Sequence, residues 1–205
     1  MTRHAHSFGL TAGAFGLAIL ILATSSVSAK PGLIDSKDMG VSANAPPVCV
    51  IANQSSQRIR PLVNTTAAGS AAVQITALVD VGTMSTAAAQ VEVSFDAMCN
   101  FPHRLNVASE NNGLFRSANA AAPPSGFGSA VPYTADVRWG DQTLAFNANA
   151  QTRSRFEDRL LIGQPASGAI VLAFNVLPGA TNAQNGAPLA SGIYSDILTL
   201  TVEPQ

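Results

Sequence analysis

Charge is scarce in this chain. Only 11% of its 205 residues are Asp, Glu, Lys or Arg, and the formal net charge is −1. A nucleic-acid surface or a polybasic membrane patch needs cations gathered on one face, and no such run is present. The same shortage excludes an acidic disordered tail. Histidine is nearly missing: His4 and His6 sit at the extreme N-terminus, and His103 stands alone in the rest. Nucleophilic catalysis needs a base beside the nucleophile and a third group to orient that base. His103, four residues past a cysteine and at the start of a strand, reads as a solvated turn residue. The twelve carboxylates show no paired spacing of the glycosidase kind. HExxH, GxSxG, P-loop and GxGxxG patterns are absent from any fitting context. No enzyme activity, cofactor or small-molecule substrate is expected. Two cysteines and one histidine also fall short of an ordinary structural zinc site. Beyond residue 29, no stretch holds a 3.6-residue apolar period for three capped turns.

What is present begins with an export signal. Arg3, His4 and His6 precede an uncharged run from Phe8 to Ala23, and Val27-Ser28-Ala29 supplies small residues for cleavage before Lys30. The competing reading is a retained anchor. Against it, the run is short for a bilayer span and is interrupted by Gly9, Gly13 and Gly16. Removing residues 1–29 leaves 176, a one-domain length able to bury a sizeable core. Cys49 and Cys99 are an even pair in an exported chain and read as a disulfide, the alternative being two buried free thiols. Such a bridge would stabilise by roughly 4 kcal/mol in the loop-entropy account.

The apolar period is two almost throughout. In 90–99, Val91, Val93, Phe95, Ala97 and Cys99 share one face, and Gln90, Glu92, Ser94 and Asp96 the other. Segment 131–139 repeats this, with Val131, Tyr133, Ala135, Val137 and Trp139 on the apolar side. Strands are also expected over 72–81, over 169–177 as a central apolar strand, and over 193–202. Shorter candidates are 48–52, 58–63, 104–109, 143–147 and 160–162. Turn residues separate them, among them Asn111-Asn112-Gly113, Gly140-Asp141 and Pro178-Gly179. Many short strands with regular turns predict an all-β fold of the β-sandwich kind. Residues 115–130 and 179–191 read as long loops, and 30–47 as a lead-in punctuated by proline and glycine. Arg153, Arg155, Glu157, Asp158 and Arg159 read as a solvated, ion-paired strand end. Asn53-Gln54-Ser55 and Asn64-Thr65-Thr66 are formal glycosylation sequons.

The order of landmarks carries more information than any one of them. Cys49 lies on a first strand, and a long strand ends at Cys99. Leu105-Asn106-Val107-Ala108-Ser109-Glu110-Asn111-Asn112-Gly113 follows, then the Tyr133–Gly140 segment and Gly163-Gln164-Pro165. The chain closes on Gly192-Ile193-Tyr194-Ser195-Asp196 and an alternating terminal strand. Over 47–203 this resembles the spore coat protein U domain family, which includes subunits of archaic (Csu-type) chaperone–usher pili. The resemblance implies an immunoglobulin-like sandwich lacking its last strand, with Cys49 and Cys99 as the family's disulfide. It implies a groove lined in part by Leu198, Leu200 and Val202, and Gly192, Tyr194 and Asp196 as its motif residues. It also implies a donor strand within 30–46, with Leu33, Ile34, Met39 and Val41 as its apolar residues, ahead of a domain over 47–205.

Partners implied by the resemblance are a periplasmic chaperone, an outer-membrane usher and other pilus subunits, with the periplasm as transit and the cell surface as destination. In strand addition, main-chain hydrogen bonds supply affinity and alternate side chains fill pockets. Pro204 departs from the penultimate aromatic residue common in such subunits. The donor candidate also alternates poorly around Leu33 and Ile34. The alternative class is a self-contained secreted adhesive or binding module using loops 115–130 or 179–191.

Overall fold

A computed structural model describes residues 37–52, 57–68 and 72–205. The expected signal peptide, Leu33 and Ile34 lie outside the described residues, as does Asn53. The chain divides into two units, Met1–Ala43 and Asn44–Gln205. In the first, residues 37–43 carry no regular structure, and Met39 and Val41 are both 85% exposed.

The second unit is all-β, with no helix among the described residues. Its strands are β1 (Cys49–Ile51), β2 (Arg58–Val63), β3 (Thr65–Ala67), β4 (Val73–Ile75), β5 (Ala89–Cys99), β6 (His103–Ser109) and β7 (Leu114–Arg116). They continue with β8 (Ala130–Val131), β9 (Tyr133–Trp139), β10 (Gln142–Ala148), β11 (Phe156–Ile162), β12 (Ala166–Val176), β13 (Tyr194–Ser195) and β14 (Leu198–Pro204). A six-stranded sheet runs β1-β5-β12-β9-β10, with β2 also pairing with β5; a three-stranded sheet runs β11-β6-β14. Smaller sheets join β13-β7-β8 and β3-β4. All these pairings are antiparallel.

The two larger sheets share one core. Val137, Trp139, Phe146, Ile170 and Val176 come from the first, and Leu105, Val107 and Ile162 from the second. Burying each large apolar side chain contributes about 1.5–3 kcal/mol. On β5 the expected alternation holds: Val91, Val93, Ala97 and Cys99 are buried, Gln90, Asp96 and Met98 exposed. β12 lies between β5 and β9, so both its edges are paired and it reads as the central strand. At the far side of the core, β11 lies near β10, with the Phe146 and Phe156 rings 5.2 Å apart. In the smaller sheet β14 lies on the side of β6 away from β11, and in the larger one β1 and β2 form the margin on β5.

Several expected strands are shorter or divided. Of 72–81 only Val73–Ile75 forms a strand; Val79 makes an isolated antiparallel bridge to Thr86 across a turn in which Asp80 Oδ1 accepts from the amides of Gly82 and Thr83 at 3.0 and 2.9 Å. Segment 131–139 is interrupted at Pro132, which has no N–H to donate to a ladder. Segment 193–202 splits across two sheets: β13 pairs with β7, and β14 with β6. The split falls at Asp196, whose Oδ1 accepts from the Ile197 amide at 2.8 Å and from Asn111 at 2.9 Å. Tyr194 therefore does not share a sheet face with Leu198, Leu200 and Val202.

Candidate functional site

Among the described residues β14 pairs only with β6 and so forms an open edge of its sheet. Its pairing with β6 sets which backbone groups remain open. The Glu110 amide donates to Ile197 O at 3.0 Å, and the register runs unbroken from Leu198 opposite Ser109 to Pro204 opposite His103. In an antiparallel ladder hydrogen-bonded pairs alternate with non-bonded ones. Residues 197, 199, 201 and 203 therefore bond inward to β6. Leu198, Leu200 and Val202 direct their N–H and C=O groups away from it, and Pro204 ends the series with a carbonyl only. The side chains of Leu198, Leu200 and Val202 are half-buried and packed on the core, while Thr199 and Thr201 are exposed.

The margin of the larger sheet is similarly open. The Asn100 amide donates to Val48 O, and the Ala52 amide to Asp96 O. By the same alternation Cys49 and Ile51 turn their backbone groups outward. Ile51 stands opposite buried Ala97, so its side chain faces inward, yet it is 38% exposed. Ile59 opposite Val93 is half-buried, and Pro61 opposite Val91 is exposed. Proline is tolerated in β2 because β2 is an edge strand. Each open margin thus carries inward-facing apolar side chains that are only partly covered. Cys49 and Cys99 stand opposite each other and form a disulfide, which fixes β1 to β5.

The motif residues lie at the entry to β14 and act on its position. Asp196 Oδ2 accepts from the Ser109 hydroxyl at 2.5 Å and from the Tyr133 hydroxyl at 2.7 Å. Burial, above all, pushes the Tyr133 phenol well above its usual range, and the neighbouring Asp196 charge pushes in the same direction. The Tyr194 hydroxyl donates to Ala190 O at 2.7 Å, and its burial also raises its pKa, partly offset by the Arg116 charge. Gly192 has φ +154°, and a Cβ there would lie 2.7 Å from Arg116 Nε. Arg116 in turn donates to Ser191 O and Ala121 O, fastening two loops.

His103 corrects the sequence expectation. It is fully buried on β6, not solvated, because period two places it on the same face as Leu105 and Val107. Its Nδ1 donates to Phe101 O at 2.7 Å, and its ring lies 4.7 Å from that of Trp139, which is itself core. Loops 115–130 and 179–191 are held together: the Gly128 amide donates to Pro188 O, the Ala190 amide donates to Gly128 O, and Asn182 Oδ1 accepts from the amides of Ser129 and Ala130. In 153–159, Arg155 pairs with Glu157 at the surface, and the Arg153 guanidinium lies 5.6 Å from the Phe115 ring centre. Among the described residues no three His, Cys, Asp or Glu side chains gather as a metal site would require.

No family model, curated protein or solved structure matches this chain.

Proposed function

We propose that this chain is a structural subunit of a secreted pilus or surface coat, assembled by the chaperone–usher route through donor-strand complementation. Its sandwich is then immunoglobulin-like and one strand short. A periplasmic chaperone fills the vacancy in transit, and the N-terminal extension of another subunit replaces it at the usher. The observation that carries this reading is the free edge of β14, where outward backbone groups coincide with half-buried Leu198, Leu200 and Val202. An edge of this kind aggregates unless it is covered, and an added strand covers it. The disulfide fits an oxidising compartment.

The test uses the exported full chain, with and without residues 30–46, and the variant Leu200→Asp. Surface assemblies are expected from the parent and from neither variant. A stable, soluble monomer whose surface display is unaffected by the deletion would overturn the reading.

A further inference from the structure

The edge strands of this domain are not finished alike. In the smaller sheet β14 and β11 stand at the two edges, and in the larger one β10 stands at the edge away from β1 and β2. β10 and β11 meet through the Phe146 and Phe156 rings, and Phe146 is fully buried there.

The ladders decide which backbone groups each edge leaves open. On β6 the residues not bonded to β14 are His103, Leu105, Val107 and Ser109, and these turn to β11. Their partners Phe156, Asp158, Leu160 and Ile162 therefore bond inward, which leaves Glu157, Arg159 and Leu161 open. The same alternation, followed from β5 through β12 and β9, leaves Thr143, Ala145 and Asn147 open on β10.

In each of these runs the central residue is already engaged by a side chain of its own strand. Asp158 Oδ1 accepts from the Arg159 amide at 2.8 Å, and Asn147 Nδ2 donates to Ala145 O at 3.3 Å. Asp158 is half-buried, on the row of β11 that also holds Phe156 and Leu160. A strand laid alongside would take the open Arg159 amide from this carboxylate and desolvate it, which is costly without a new partner. Glu157 and Arg159 add charge to the exposed row, with Arg155 paired to Glu157. At the β14 edge, by contrast, no side chain among the described residues bonds to the backbone of Leu198, Leu200 or Val202.

We infer that Asp158 and Asn147 are specificity-determining residues that close the β11 and β10 edges to an added strand. What they keep off is a second copy of this chain meeting the first edge to edge. Resting on the strand-addition reading above, assembly then proceeds without side branches at β10 or β11.

The test uses the exported full chain carrying Leu200→Asp, which disables the β14 edge, so that association reports on the other two. This chain should sediment as a monomer. Adding Asn147→Val and Asp158→Val puts strand-forming residues without caps at both edges and should raise the dimer fraction roughly tenfold, the factor by which one hydrogen bond shifts an equilibrium. In the otherwise unaltered chain, Asp158→Val should quicken hydrogen exchange at the Arg159 amide roughly tenfold. Asp158→Asn keeps an acceptor and should exchange there as the parent does. Unchanged exchange in Asp158→Val, or no dimer when both caps are removed, would overturn this inference and leave strand addition at β14 standing. Surface assembly undiminished by Leu200→Asp would sink the strand-addition reading, and the closing of β10 and β11 would then be judged by the dimer fraction alone.

Discussion

The Tyr133 hydroxyl donates to Asp196 Oδ2 at 2.7 Å, joining a strand of the six-stranded sheet to the residue that opens β14 in the smaller one. The same carboxylate takes the Ser109 hydroxyl and the amides of Asn111 and Ile197. One side chain thereby sets where the free edge begins.

Replacing Asp196 by Ala should cost about 3 kcal/mol, since several donors lose their acceptor together. Tyr133→Phe should cost about 1 kcal/mol, because it removes one donor and leaves Asp196 with three. Urea titrations of the two variants check the ranking, and equal losses would contradict it.

Both tyrosines of the chain, Tyr133 and Tyr194, have pKa values raised above the ordinary 10.0, chiefly by burial. The native protein should show less phenolate absorbance near pH 10 than the urea-unfolded chain. The sign for stability follows. The contribution from neutral phenols is complete below the unfolded pKa of about 10 and declines as pH rises toward the higher native values. Ultraviolet difference titration and pH-dependent melting measure the two effects.

Cys49→Ala with Cys99→Ala should lower stability by about 4 kcal/mol, the loop-entropy value for a bridge spanning 50 residues. Hydrogen exchange should also quicken at Val50 and Ala52, the residues of this margin bonded to β5. Unchanged exchange there would mean that β1 is held without the bridge.

Gly192→Ala places a Cβ against Arg116 Nε in a backbone region that L-residues avoid. A loss of about 1–2 kcal/mol is expected. Arg116→Ala added to Gly192→Ala should recover the steric part, so the two changes should be non-additive in thermal melts.

The long strands were legible because their pairing requires one wet face and one dry face. β5 and β9 carry period two in the order of their residues, and β12 shows instead the unbroken apolar run of a strand paired on both edges. What was illegible depended on distant partners. Tyr194, Leu198, Leu200 and Val202 share a period-two row, and it is the distant partners of Asp196 in that row, Asn111, Ser109 and Tyr133, that help show why the strand divides. At 72–81 the pattern continues past the end of β4 toward the turn that follows Asp80, and periodicity alone does not mark where the pairing stops. His103 was misplaced although its own register gave the answer: His103, Leu105 and Val107 form one period-two row. At the candidate site, the half-buried state of Leu198, Leu200 and Val202 followed from their pattern. The bonds of the Asn100 side chain to Pro46 O and the Val48 amide did not, because nothing local to Asn100 distinguishes it from other turn asparagines.

The disulfide has a mechanical consequence. A pull applied through the extension reaches Cys49 and crosses directly to Cys99, so residues 50–98 lie outside the load path. β2, the β3–β4 hairpin and most of β5 are then shielded from tension transmitted along the chain. Reduction would place those residues in series with the load and release a hidden length of about 170 Å, the reach of some fifty extended residues.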